Sequence, residues 1–221
     1  MRFAKFGLGM TIALSLLSAC QEPQLAPELP ERPSSAFKVT EIHTGLSNPW
    51  SVAEMPAGGF LITEKYGPLL HFTSGGTRSE ISGLPDDIHA KAQGGLLDVV
   101  LAPDFAASQE VYISYSYGSD EANGTALLRA KLTNGALENK IIIFRASPPK
   151  AAASHFGGKI LFLPDETLIL TLGDGFAYRE DAQKADTHLG KLVRLTRDGG
   201  VPTDNPFLGQ LKDGRLSLIH I

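Results

Sequence analysis

The sequence predicts an all-β fold, a β-propeller, and three observations carry that reading. No long helical period of apolar residues occurs after residue 36. Short apolar runs of strand length alternate there with turns rich in Gly, Pro, Asp and Asn. One pattern also recurs: an apolar run, a Pro-led turn, a second apolar run. Its leading prolines, Pro56, Pro103 and Pro164, are 47 and 61 residues apart. Roughly four strands in each repeat of about 45–60 residues is the signature of propeller blades. A β-sandwich also has many short strands, but it does not account for the repeated hairpin.

The 221 residues are 43% hydrophobic and 20% charged, with a net charge of −4. That is a globular composition, and it offers no basic field for nucleic acid, which is excluded as a partner. The chain begins as a targeting segment. Arg2 and Lys5 precede the apolar run Phe6–Leu17, which is too short to span a bilayer. The run ends in Leu17-Ser18-Ala19-Cys20, which resembles the lipobox of bacterial lipoproteins. Cys20 is the single cysteine, so it forms no internal disulfide and is the expected lipidation site. Residues 1–19 thus read as a lipoprotein signal peptide. Residues 20–36, with Pro23, Pro27, Pro30 and Pro33, read as an extended tether. Acyl chains on Cys20 would hold a soluble domain, residues 37–221, on a membrane of the bacterial cell envelope, facing the periplasm. Gln21 after the cysteine favours the outer membrane.

The strands follow in order. Trp50–Met55 and Phe60–Thr63 flank the turn Pro56-Ala57-Gly58-Gly59, and Pro68–Phe72 follows. Leu96–Ala102 and Val111–Tyr117 flank Pro103-Asp104 and a longer loop. Ala126–Leu132 and Lys140–Phe144 come next. Lys159–Leu163 and Leu168–Leu172 flank Pro164-Asp165-Glu166-Thr167, and Lys191–Leu195 follows. The 185 residues from Phe37 to Ile221 cover about three to four blades. A propeller of six or more blades needs more chain to close, and an open one exposes edge strands, so the expectation is a fragment of a larger propeller.

The third hairpin carries the chemistry. Folded about its turn, it places His155, before the first strand, at the same end as Asp174, after the second. A carboxylate beside an imidazole fixes its tautomer and supports the positive charge gained on taking a proton, which suits a general base. Spacing alone does not separate this pair from a loop histidine and a turn aspartate. In a propeller, however, such hairpin ends converge on a common mouth, where a ligand site is expected. Gln93, ahead of Gly94-Gly95, holds the place in the second repeat that His155 holds in the third. An amide there can bind a polar ligand. Trp50 in the first repeat reads as packing rather than as a stacking platform. Asp198 and Asp204 lack the spacing of a calcium loop and read as turn residues, and Asp86, Asp87 and His89 read as a solvated loop.

These residues resemble the quinoprotein glucose/sorbosone dehydrogenases, the soluble aldose sugar dehydrogenases that use pyrroloquinoline quinone (PQQ). The matching pieces run in the family's order from Gly45-Leu-Ser-Asn-Pro-Trp-Ser51 through Gln93-Gly-Gly-Leu-Leu97, Pro103-Asp-Phe105 and Val111-Tyr-Ile-Ser114. They continue with His155-Phe-Gly-Gly158, Thr171-Leu-Gly-Asp174, Gly190-Lys-Leu-Val-Arg-Leu195 and Asp198-Gly-Gly-Val-Pro-Thr-Asp-Asn-Pro-Phe207. The resemblance implies a six-bladed propeller, truncated here. It implies that His155 takes the proton of the sugar's anomeric hydroxyl, that Asp174 orients His155, and that Gln93 contacts the cofactor and the reacting sugar. Oxidation of an aldose at C1 to the lactone would then be hydride transfer to PQQ, with calcium bound beside it and an electron acceptor downstream. The family's Gly-His-Arg-Asn-Pro-Gln run and the later Gly-Pro calcium loop do not occur in the chain. It reads instead Leu208-Gly-Gln-Leu-Lys-Asp-Gly-Arg-Leu-Ser-Leu-Ile-His-Ile221, which leaves open whether the tail after about Gly214 is native. Most PQQ and calcium ligands are thus expected outside these residues, and the fragment itself is expected to be inactive. Two other readings stand beside this one: a non-catalytic propeller lipoprotein that binds carbohydrate or protein, and a calcium-dependent lactone hydrolase.

Overall fold

Among the described residues, twelve strands follow one another in the computed structural model, which describes residues 37–208 and the backbone of 216–219. The signal segment, the tether and Cys20 lie outside the described residues. Phe37–Thr40 are exposed and without regular structure, and they group with the N-terminal segment. The unit from Glu41 onward holds three four-stranded antiparallel sheets, each a propeller blade. Blade 1 is β1 (Pro49–Glu54), β2 (Gly59–Glu64), β3 (Leu69–Thr73) and β4 (Arg78–Ile81). Blade 2 is β5 (Leu96–Leu101), β6 (Glu110–Gly118), β7 (Asn123–Thr133) and β8 (Ala136–Arg145). Blade 3 is β9 (Gly157–Phe162), β10 (Leu168–Leu172), β11 (Lys191–Leu195) and β12 (Leu216–Ile219). Strands pair in chain order within each blade, and β1, β5 and β9 pack side by side as the inner strands.

The Pro-led turns behave as their residues dictate. At Pro56, Gly58 N donates to Met55 O at 2.8 Å and Met55 N to Gly59 O at 3.0 Å. At Pro164, Asp165 Oδ1 accepts from Thr167 N at 3.0 Å, an Asx turn that closes β9 onto β10. The Pro103 turn is followed by a short helix, α1 (Phe105–Ser108), where the sequence suggested only loop. Burial of Phe105 in the core holds it there. β4 was not legible either: three of its four residues are exposed, and it pairs with β3 alone.

Two cores separate the blades. Leu61, Leu69, Leu96, Val99, Ile113 and Leu128 fill the space between blades 1 and 2. Tyr112, Leu127, Phe144, Ile160, Leu170 and Val193 fill that between blades 2 and 3. Adjacent residues of β6 and β7 thus go to opposite cores, because a strand turns successive side chains to opposite faces. Both faces of blade 2 are covered, so Val111–Ser116 of β6 are buried without a break rather than alternately.

One charge interrupts that pattern. Asp98, in the middle of β5, is 2% exposed. It accepts from Ser51 Oγ of β1, from Lys159 Nζ at 2.9 Å and from Ile160 N of β9 at 2.8 Å. A single carboxylate therefore joins the inner strands of all three blades. Its burial is tolerable because its lone pairs are taken up by donors.

Candidate active site

Three connections meet at one end of the blades: the loop between β4 and β5, the loop between β8 and β9, and the loop between β10 and β11. They carry Gln93, His155 and Asp174 respectively. A register shift in β10 sets Leu172 opposite Gly157, so the β9–β10 pairing continues to the edge of the site. There Gly173 N donates to Phe156 O at 3.1 Å and Gly175 N to His155 O at 3.3 Å. The contact is too close for any side chain at Gly173, where a Cβ would lie 1.9 Å from His155 O.

The side chains converge on this backbone frame. His155 Nδ1 lies 2.7 Å from Asp174 Oδ1. His155 N donates to Gln93 Oε1 at 2.8 Å, and Gln93 N donates to Ala153 O at 3.1 Å. Gln93, 62 residues away in sequence, thus clamps the histidine's own backbone, which sits in the left-handed region at φ 48°. Phe176 N gives Asp174 Oδ1 a second donor at 2.8 Å. Burial pushes the Asp174 carboxyl upward, but the Phe176 N–H and His155 bonds outweigh it and hold it below the usual carboxylate range. An ionised Asp174 only accepts, so the ring proton sits on Nδ1 and the lone pair on Nε2. The imidazole is 43% exposed, so Nε2 is open to a ligand. A cavity of about 440 Å³ borders His155, Gly173, Asp174, Gly190 and Lys191.

Two buried lysines stand behind this pair. Lys150 donates to Asn123 Oδ1 at 3.0 Å and to Ala152 O, and its ammonium sits 3.7 Å from the centre of the Phe156 ring. Its stem lies against Gly175, where a Cβ would fall 2.4 Å from Lys150 Cδ. Burial pushes its pKa down to about 8, against the pull of Asp174. Lys191 donates to Asp181 O, Ala182 O and Leu189 O at 2.7–3.0 Å. Burial lowers its pKa too.

Spacing gave no sign of Asp98, Lys150 or Phe176. Asp98 left a trace, a charge inside an apolar run; the other two left none. Trp50 is 53% exposed on β1, with Lys65 Nζ 5.3 Å from its ring centre, rather than packed in the core. Asp87 accepts from Arg145 at 2.7 Å and Tyr115 at 3.1 Å, and Asp204 accepts from Arg194 at 2.9 Å. Asp198 pairs with Arg129. These are structural ties, and no group of three metal-ligating side chains occurs among the described residues.

A family model described as Glucose / Sorbosone dehydrogenase matches residues 46–217. The chain belongs to that family. It is 42% identical over 179 residues to the aldose sugar dehydrogenase YliI of Escherichia coli strain K12, covering 79% of this chain and 48% of that protein. A crystal structure of a glucose dehydrogenase superposes with a TM-score of 0.77 at 41% identity, over 81% of this chain and 54% of that one. The PQQ-bound form of the aldose sugar dehydrogenase of Streptomyces coelicolor superposes with a TM-score of 0.66 at 28% identity, over 77% of this chain and 51% of that one. The chain thus spans about half the length of the curated relatives it matches.

Proposed function

We propose that the protein to which this chain belongs oxidises an aldose at C1 to its lactone, with PQQ as the oxidant and His155 as the base. The observation that carries this reading is the 2.7 Å contact between His155 Nδ1 and Asp174 Oδ1, which leaves Nε2 basic and open. Nε2 takes the proton of the C1 hydroxyl while the C1–H bond gives up its hydride and the C1–O double bond forms. Bound PQQ supplies the quinone that accepts that hydride. Asp174 holds the tautomer and stabilises the imidazolium. Gln93 fixes the backbone of the base through Oε1, which leaves its amide NH₂ for a polar ligand.

The donor set fits the base side of such a site. Lys191, the cation at the cavity wall, is engaged by three carbonyls, so it is not the counter-ion for the carboxylates of PQQ. Lipidation at Cys20, with the domain facing the periplasm from the outer membrane, is part of the same proposal and is supported by the lipobox-like Leu17–Cys20 segment.

The test uses the full-length protein with PQQ and calcium, assayed for glucose-dependent dye reduction and for quinone uptake. His155→Ala is expected to abolish turnover while largely sparing uptake. Wild-type turnover in that variant would remove His155 as the base. Lactone hydrolysis without reduction by any aldose would replace the dehydrogenase reading altogether.

A further inference from the structure

Phe176 has a backbone and an exposure that packing does not explain. It follows Asp174 by two residues and sits at φ 61°. Bulky side chains enter that left-handed region only at a cost, and such strain gathers at ligand sites. The turn is fixed by Phe176 N donating to Asp174 Oδ1 at 2.8 Å. The ring itself is 59% exposed and belongs to none of the three hydrophobic cores. Among the described residues its one ring contact is with the imidazole of His155, at 5.3 Å between centres and 82° between planes. A strained backbone therefore holds an apolar ring clear of the described cores, at right angles to the base.

We propose that Phe176 is a substrate-contact residue: its ring is the apolar wall against which the C–H face of the aldose ring rests while the anomeric hydroxyl meets His155 Nε2. The inference rests on the aldose-oxidation reading above. A pyranose is polar around its rim, but its ring faces carry C–H bonds. An aromatic face, with its negative π cloud, suits those polarised hydrogens. Small-molecule sites orient their ligands by such apolar walls together with a few polar groups. Here the wall stands beside the polar group, so it sets the plane of the sugar next to the base.

The experiment compares wild type, Phe176→Gly and Phe176→Trp in the full-length holoenzyme with D-glucose as the probe. Glycine removes both the ring and the strain. F176G is expected to raise KM about tenfold, on the scale of losing apolar contacts in a pocket, with kcat and its pH profile near wild type. F176W is expected to restore KM to within about threefold of wild type. The melting temperature of F176G is expected to equal or exceed that of wild type. An unchanged KM in F176G, or a melting temperature lower by more than about 2 °C, roughly what a lost structural contact costs in a protein about twice the length of this chain, overturns the proposal. If wild type oxidises no aldose, the functional reading itself fails. If wild type oxidises glucose and F176G does so with unchanged KM, this inference alone fails.

Discussion

Replacing Gly173 with alanine tests whether the site's geometry is set by backbone contact. A Cβ there would lie 1.9 Å from His155 O, 2.4 Å from its carbonyl carbon and 3.1 Å from Phe156 N. All three are backbone atoms, so no side chain can swing aside. Carbon and carbonyl oxygen approach to about 3.3 Å, so the β8–β9 and β10–β11 connections must part by about 3.3 − 1.9 ≈ 1.4 Å. Two hydrogen bonds span that gap, Gly173 N to Phe156 O and Gly175 N to His155 O. Losing both costs about 1 kcal/mol each, or more where the groups stay dry. The 2.7 Å His155–Asp174 contact opened by that amount would reach about 4 Å, beyond hydrogen bonding. A displacement of about 1 Å at a reacting group costs about 10²-fold in rate. Gly173→Ala in the full-length holoenzyme is therefore expected to lose about 100-fold in kcat/KM and about 2–3 °C in melting temperature, at ~1 °C per kcal/mol for a protein about twice the length of this chain. Gly75→Ala is the control, since only Thr73 Oγ1, at 3.8 Å, stands near the new methyl group. Activity within about threefold of wild type and an unchanged melting temperature in G173A would refute the argument.

Two further predictions concern stability. Asp98→Ala strands the Ile160 N–H in a buried position, which costs about 1–3 kcal/mol, whereas the exposed Lys159 relaxes into water and adds little. Urea unfolding should show a loss of roughly 2–3 kcal/mol, and a loss under about 1 kcal/mol would deny Asp98 its role in joining the inner strands. Lys150 gives a pH signature. Its folded pKa of about 8 lies below the ordinary 10.5, so both states carry the proton below pH 8, and the cost of burying the charge is then fully present. Between about pH 8 and 10.5 the folded state binds fewer protons than the unfolded one, so this group makes stability rise with pH. Lys150→Met should remove that rise, read as the difference between the two proteins' stability curves, and parallel curves would show that Lys150 titrates normally.

Much of the fold was legible because the strands obey simple rules. Pro56 and Pro164 turn two hairpins where Pro-led turns are expected, and β9 and β10 lie within two residues of the runs read from the sequence. β4 escaped because Arg78-Ser79-Glu80 is polar and exposed, and it is a strand only through its bonds to β3. Helix α1 escaped because four residues are too few for a helical period; burial of Phe105 and bonds such as Ser108 N to Asp104 O hold them. In the site, the hairpin itself brings His155 and Asp174 together, so their proximity is a local fact that spacing encodes. Gln93 came from the likeness of successive repeats. Phe176 owes its position to a left-handed backbone turn tied to Asp174, and Lys150 to a buried neighbourhood that the assembled blades create; no motif in the chain announces either.

The loop that follows Asp174 is closed at both ends. Gly190 N donates to Gly173 O at 3.0 Å at its neck, and the ammonium of Lys191 gathers the carbonyls of Asp181, Ala182 and Leu189 from inside it. These ties use main-chain oxygens, which every amino acid provides, so they do not depend on the side chains the loop carries outward. The stretch from Ala177 to Lys184 is mostly exposed and is thereby released from any duty to the base. On the proposed function, substitutions there would change what the site admits and leave the His155–Asp174 pair where it is. Under the proposed function the site pairs a fixed chemical centre with a replaceable rim, and new sugar preferences would arise in the rim without the chemistry being rebuilt.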